Sequence, residues 1–284
     1  GCRVDHPLIE AGFAALERAA EQLEAARPAV LGESIRHVWI KTNGARLLVT
    51  LIVAADADET DLAAWLDLVE MIGPPAGYAL AVHEGQGNAV RGGPARPFRG
   101  VASLETALCG VPLHIEPLGF LQPNPAVAGR AYEALCALPD GTPLRGARAL
   151  DLFAGAGVTT ALLRRAFDTV RPVESYPESA AALGVPAEDA AEAVRAWVEA
   201  AEAPPDLIVA NPPRAGFGPA LCRALLALAA PRIHVMSCNP HSLARDLERL
   251  APSYRLEAAR AFDTLPQTPH VEVVAWLVRT EEAR

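Results

Sequence analysis

The sequence predicts an α/β protein, a mostly parallel sheet covered by helices on both faces, preceded by a smaller α+β domain. Three observations lead there. After Asn124, strand-like runs alternate regularly with helical ones. The strands in that region are apolar along their whole length, as strands covered on both faces are. Before Leu118 the texture is different, with short β-rich runs broken by Gly and Pro around one helical stretch. The two domains are therefore expected at residues 1–117 and 118–284.

Leu8, Ile9, Phe13, Leu16, Ala20 and Leu23 recur at helical spacing, so a helix is expected from His6 to about Arg27, ended by Pro28. IRHVWIK, RLLVTLIV, GYALAVHE and VPLHIE read as strands, and ETDLAAWLDLVEMI as a helix between the second and third. The stretch Arg91 to Gly100 (RGGPARPFRG) sets three arginines around Phe98. Charge and stacking there could hold single-stranded RNA, and a solvated hairpin loop fits as well. In the second domain a helix runs to about Leu138, followed by the strand ARALDLFA, the helix TTALLRRAF, the strand TVRPVES and an Ala/Glu-rich helix. Then come the strand PDLIVANP, the helix PALCRALLALAA, the strand RIHVMSC and the helix SLARDLERLA, with YRLEAARAF and VEVVAWLV as closing strands. Ligands of such a sheet bind at the carboxyl ends of its strands.

Composition narrows the class. Half of the 284 residues are apolar (51%), enough for a sizeable core. No uninterrupted apolar run reaches the length of about 18 residues that a membrane span needs, and GCRVDHPLIEAG lacks a signal-peptide pattern. A cytoplasmic protein without a membrane partner is expected. Cys2, Cys109, Cys136, Cys222 and Cys238 are odd in number and form no CxxC pair, so neither a disulfide framework nor a metal site is expected. The net charge of −9 excludes a chain coated with phosphate-binding cations. Lys41 is the only lysine.

Five segments carry chemistry. The first strand of the alternating domain runs into DLFAGAG, Asp151 to Gly157, whose glycines let the backbone approach a ligand at a helix amino end. Glu174 ends the next strand, where a carboxylate can accept the two hydroxyls of a ribose; S-adenosylmethionine (SAM) and a dinucleotide both satisfy this pair. The third strand ends in Asn211-Pro212-Pro213-Arg214, and two prolines force the chain out of the sheet with a rigid amide at the ligand edge. RIHVMS delivers Cys238 in SCNP, ahead of a helix beginning near Ser242, where the helix dipole and backbone amides favour a thiolate. Cys136 and Cys222 lie in apolar helices and Cys109 in a strand-like stretch, so all three read as packing. Near the end, FDTLPQTPHVE sets His270 and Glu272 on a turn into the last strand. Carbon 5 of uracil is a poor nucleophile. A thiol that adds at carbon 6 and a carboxylate that takes the carbon 5 proton would together suffice to methylate it.

In order, FLQPN (Phe120 to Asn124), DLFAGAG, VES, NPPRAG, SCNPHSLARDL and FDTLPQTPHVE resemble the RNA (uracil-5-) methyltransferase family, the enzymes that form 5-methyluridine in transfer and ribosomal RNA. Similarity extends more weakly from Arg36 to Pro117. The resemblance implies a Rossmann-like class I SAM-dependent methyltransferase domain, SAM as cofactor and tRNA or rRNA as partner. It makes Cys238 the nucleophile and Glu272 the base, and assigns Gln122, Phe153, Gly155 and Glu174 to SAM with Asn211 at the junction of SAM and uracil. Asp151, which opens the Gly-rich turn, and Asp189, on the adenine side, are placed with them.

Four departures accompany the resemblance. Asn211 stands where the family has Asp. The stretch between Glu174 and Asp189 is short by most of a helix and a strand. Leu265 replaces an aromatic. The amino-terminal β-barrel and three iron–sulfur cysteines of larger members have no counterpart, while Cys2 followed by HPLIE resembles a fourth cluster cysteine; an amino-terminal portion is expected to be missing. Two other readings compete: a SAM-fold protein that binds RNA or a partner without turnover, and an amine-directed methyltransferase that leaves Cys238 idle.

Overall fold

A computed structural model describes residues 6–26, 31–32, 34–83, 93–119, 122 and 124–280, so Cys2 and Arg91 lie outside the described residues. The chain divides into two compact units, 1–107 with 112–121, and 108–111 with 122–284.

In the first unit, α1 (Pro7–Ala26) and α2 (Glu59–Ile72) bury their apolar stripes with a sheet of β1 (Ile35–Thr42), β2 (Leu47–Val53), β3 (Ala76–Val82) and β4 (Arg96–Arg99), in the order β1-β2-β3-β4. β2 is central and buried along its whole length. It pairs antiparallel with β1 and parallel with β3, across the α2 crossover. Asp58 starts α2 by accepting the Thr60 amide at 2.8 Å, and Leu62, Trp65, Leu66 and Val69 form its buried stripe. Two buried polar groups hold the segment after the hairpin of β5 (Leu104–Leu108) and β6 (Val111–Ile115). Lys41 donates to the carbonyls of Glu116 (2.7 Å) and Gly119 (2.5 Å), and Thr50 donates to that of Pro117 (3.0 Å).

Part of the Arg-rich stretch is a strand. β4 pairs antiparallel with β3, Arg96 bonds Glu59, Arg99 bonds Asp67 at 2.7 Å and Glu70 at 3.3 Å, and Phe98 packs on the apolar core. Two of the three arginines thus face carboxylates of α2.

The second unit is a six-stranded sheet in the order β11-β12-β10-β9-β7-β8. Along the chain its elements are α3 (Pro125–Leu135), β7 (Gly146–Leu152), α4 (Val158–Leu163), β8 (Phe167–Val173), α5 (Pro177–Leu183), α6 (Ala190–Glu199), β9 (Leu207–Ala210), α7 (Gly218–Leu228), β10 (Arg232–Ser237), α8 (Pro240–Leu250), β11 (Tyr254–Phe262) and β12 (Glu272–Arg279). β8, β7, β9 and β10 run parallel; β12 runs against β10 and β11. Alternate residues of each strand feed two cores. Leu150, Ile208, Ile233 and Leu277 meet the helices of Val194, Leu221, Leu225 and Leu243, while Ala149, Val209, Met236 and Trp276 meet those of Ala131, Leu135 and Leu163. This is the Rossmann-like fold expected from the sequence, and the chain reverses direction of crossover on either side of β7, where ligands of such sheets bind.

The Ala/Glu-rich helix proves to be two, α5 and α6, and between them the chain touches the sheet at a single parallel bridge, Glu174 with Ala187. α8 starts two residues earlier than expected, at Pro240, and Cys109 is not in a strand but at a tight turn with φ +54°, its thiol on the Gly129 carbonyl at 3.4 Å.

Candidate active site

The carboxyl edge of the second unit's sheet gathers most of the residues singled out from the sequence. Leu152 pairs with both Val173 and Ala210, so the next residues along, Phe153, Glu174 and Asn211, leave the sheet at one level. At this edge Phe153 (φ +60°), Gly155 (φ +54°) and Gly157 (φ +80°) take left-handed conformations, which for Phe153 costs energy that the surroundings must hold in place. Phe153 stacks on Phe217 with ring centroids 6.5 Å apart, and the Glu174 carboxylate accepts the Gly155 amide at 2.8 Å and the Tyr176 amide at 2.7 Å. A Cβ at Gly155 would meet only the Phe153 carbonyl, at 3.9 Å, so the loop presents bare backbone; at Gly157 it would strike Leu183 at 2.6 Å.

Asp151 lies one layer below. It is 1% exposed and accepts from Thr159 Oγ1 at 2.9 and 2.8 Å and from Thr160 Oγ1 at 2.5 Å, tying β7 to the first turn of α4. Burial pushes its carboxyl up to about 6 although these hydroxyls favour the charge. Its side chain therefore shapes the loop from beneath and does not open onto the edge. Asp189 is exposed and caps α6, accepting the Ala191 and Glu192 amides at 2.9 and 3.2 Å, two residues beyond the Glu174–Ala187 bridge.

Asn211 is half-buried, its amide nitrogen on the Leu152 carbonyl at 3.3 Å, and its side chain makes no hydrogen bond among the described residues. Gln122 precedes α3, and near it Tyr132 has its hydroxyl pushed up by burial, with Gln122 favouring the ionised form and the charges of Glu272 and Asp151 opposing it. Sequence reading passed over Tyr132, because an aromatic on an amphipathic helix carries no signal beyond core packing.

Strand register directs Cys238 toward Glu272. In the antiparallel β10–β12 ladder Arg232 faces Val278 and Ser237 faces Val273. Continued by one residue, the same ladder sets Cys238 level with Glu272, on neighbouring strands about 5 Å apart. Cys238 is half-buried and free, with no hydrogen-bond partner among the described residues. Glu272 is 8% exposed and likewise makes none; burial raises its carboxyl to about 7, with the Arg214 charge pulling the other way. His270, the other candidate on that turn, is exposed. A groove of about 750 Å³ lined by Asn124, Arg130, Arg260, Phe262 and Asp263 runs beside α3 and β11, and none of the edge residues named above lines it.

Residues 198–280, from the end of α6 through β12, match the family model of tRNA (Uracil-5-)-methyltransferase. The resemblance is borne out. The chain is 38% identical over 185 residues to the 23S rRNA (uracil(747)-C(5))-methyltransferase RlmC of Edwardsiella ictaluri, covering 62% of this chain and 48% of that protein. It is 37% identical over 182 residues to the RlmC of Vibrio vulnificus, with 60% and 46% covered. The chain thus spans about half the length of the curated uracil-5-methyltransferases it matches. Among solved structures, the tRNA (uracil-54, C5)-methyltransferase of Pyrococcus abyssi in complex with S-adenosyl-L-homocysteine aligns with a TM-score of 0.68 at 22% identity, covering 93% of this chain and 66% of that one. Trm5 of Methanocaldococcus jannaschii in complex with adenosine aligns at 0.52 and 12%, covering 93% and 79%. At such identities these two establish the fold.

Proposed function

We propose that the chain transfers a methyl group from S-adenosylmethionine to carbon 5 of a uridine in tRNA or rRNA, through a covalent adduct to Cys238. What supports this reading is the β10–β12 register, whose last pair, Ser237 with Val273, stands one residue short of Cys238 and Glu272, two side chains with no hydrogen-bond partner among the described residues. The names of the relatives supply the substrate class and support a cytoplasmic place of work. No helix among the described residues is long and apolar enough to cross a membrane.

The edge residues fit the cofactor. Gly155 leaves its backbone open to close approach, Glu174 is held with lone pairs to spare for ribose hydroxyls, and Asn211 offers an unpaired amide. Phe153, Gly155, Glu174 and Asn211, with Gln122 and the exposed Asp189, would hold it, while Asp151 acts through the loop it braces. When bound, SAM supplies an electrophilic methyl that carbon 5 takes up, the sulfonium sulfur keeping the bond pair.

The protein's part is to make carbon 5 a nucleophile and then to clear the product. Cys238 thiolate adds to carbon 6, and the electrons of the 5,6 double bond move onto carbon 5 and the carbonyl at carbon 4. After methylation Glu272 takes the carbon 5 proton, the double bond re-forms, and the thiolate leaves carbon 6 with its electron pair. A carboxyl poised at about 7 exists in both forms near neutral pH, so it can accept that proton and release it before the next turnover.

The test is methyl transfer from tritiated SAM to unmodified transcripts. Cys238→Ala loses at least about a thousandfold in kcat, as removal of a nucleophile does, and Glu272→Gln accumulates a protein–RNA adduct stable to denaturant. Seeing neither removes the reading. The unpaired Asn211 amide favours a second reading, an exocyclic amine as acceptor, which predicts that Cys238→Ser keeps its activity.

A further inference from the structure

We propose that Asn239 is a positioning residue for methyl transfer: its side chain fastens the loop carrying Cys238 to the loop that follows Asn211, and so sets the nucleophile against the base. The inference rests on the uracil carbon 5 reading above.

Asn239 is the N-cap of α8. Its Oδ1 accepts the His241 amide at 3.1 Å and the Ser242 amide at 3.5 Å. With the oxygen so engaged, the orientation of the amide is determined, and its NH2 group donates to the Arg214 carbonyl at 3.0 Å. A cap needs only the acceptor, and Ser or Asp serves as well as Asn in that role. The donated bond is the additional element, and it joins two loops that leave different strands.

What lies at each end gives the bond its meaning. On one side, Ser237 Oγ donates to the Asn239 carbonyl and accepts from the Asn239 amide, both at 3.2 Å, so the residues flanking Cys238 are cross-bonded around a thiol that has no partner of its own. On the other side, Arg214 is the positive charge that acts on Glu272. The loop has a second fastening three residues on, where the Phe217 amide donates to Asp246 of α8 at 2.6 Å, and a Cβ on Gly216 would collide with that carboxylate. Asn239 and Asp246 thus pin both ends of the Arg214–Phe217 segment to the helix that follows the nucleophile. Displacement of a reacting group by about 1 Å can cost about a hundredfold in rate.

Asn239→Ser separates the two roles, since it keeps a neutral cap but is too short to reach Arg214. Measured on the full chain with unmodified 23S rRNA transcript and tritiated SAM, it lowers kcat by about tenfold or more. The KM for SAM and the midpoint of thermal unfolding stay near those of the parent, and the loss is the same from about pH 6 to about pH 9. Amide hydrogen exchange at residues 214–217 quickens by a similar factor. Parental rate and exchange in Asn239→Ser overturn the proposal, as does a rate deficit that disappears at high pH, which would mean that only thiol ionisation had changed. Should the parent protein itself transfer no methyl to that transcript or to unmodified tRNA transcripts, the uracil reading fails, and unchanged exchange at 214–217 then overturns the clamp on its own.

Discussion

The two halves of the sheet edge treat their reactive groups in opposite ways. Beneath and beside the Gly-rich loop, Asp151 and Glu174 have both carboxylate oxygens engaged, one with the hydroxyls of Thr159 and Thr160, the other with the amides of Gly155 and Tyr176. Across β9, the side chains of Cys238 and Glu272 make no hydrogen bond among the described residues. Satisfied polar groups hold a shape, because breaking their bonds leaves buried donors unpaired. A group that must take up a proton or a carbon has to be left unsatisfied, and the fold carries that cost in desolvation, as the shift of Glu272 to about 7 records.

On this division, Glu272→Gln lowers single-turnover release of product by roughly 10²–10⁴-fold, the range of a lost general base. The parent rate rises with pH through about 7 as the carboxylate forms, and rapid-quench measurements across that range check both. A rate indifferent to pH there would break the comparison on its reactive side. On the other side, Asp151→Ala leaves two buried hydroxyls without an acceptor and costs about 2–4 kcal/mol in urea unfolding. Asp151→Asn keeps an acceptor and loses less.

The same division has a signature in pH. Glu272 goes from its ordinary 4.5 to about 7 on folding, so the folded state binds the extra proton and stability falls as pH rises through that window. Glu272→Gln is therefore more stable than the parent at pH 8 by about 1–2 kcal/mol, allowing for solvent screening, and indistinguishable near pH 4. His234 runs the other way. Buried, with Nδ1 on the Leu135 carbonyl and Nε2 unpartnered among the described residues, it is lowered to about 4. It takes up its proton first in the unfolded chain, so stability falls as pH drops from about 6.5 toward 4, an effect His234→Gln abolishes. The smallest change is expected in the first unit: Arg96→Ala or Arg99→Ala shifts unfolding by less than about 1 kcal/mol, since surface ion pairs contribute little, and leaves methyl transfer intact. A large loss of transfer would restore the RNA-holding reading of that stretch.

Much of this was legible beforehand, and the limits have physical causes. Cys238, Glu272 and Glu174 could be placed at strand ends because apolar runs mark where strands stop. β4 was hidden because RPFR is short, polar and interrupted by Pro97, and becomes a strand only by pairing with β3. Asn239 stood in SCNP without a role read for it, since its donor faces Arg214, 25 residues earlier in the chain. The engagement of Asp151 was equally hidden, since a buried carboxylate and a ligand-binding one look alike in a list of residues.

What the chain alone determined is its alternation of strands and helices and the identity of the groups at their ends, because hydrophobic periodicity and turn chemistry are local properties. Which of those groups meet was decided only in three dimensions. The β10–β12 ladder joins residues 36 to 46 apart in the chain, and it is this non-local pairing, with each backbone amide seeking a partner, that directs a cysteine at the end of one strand toward a glutamate at the start of the other.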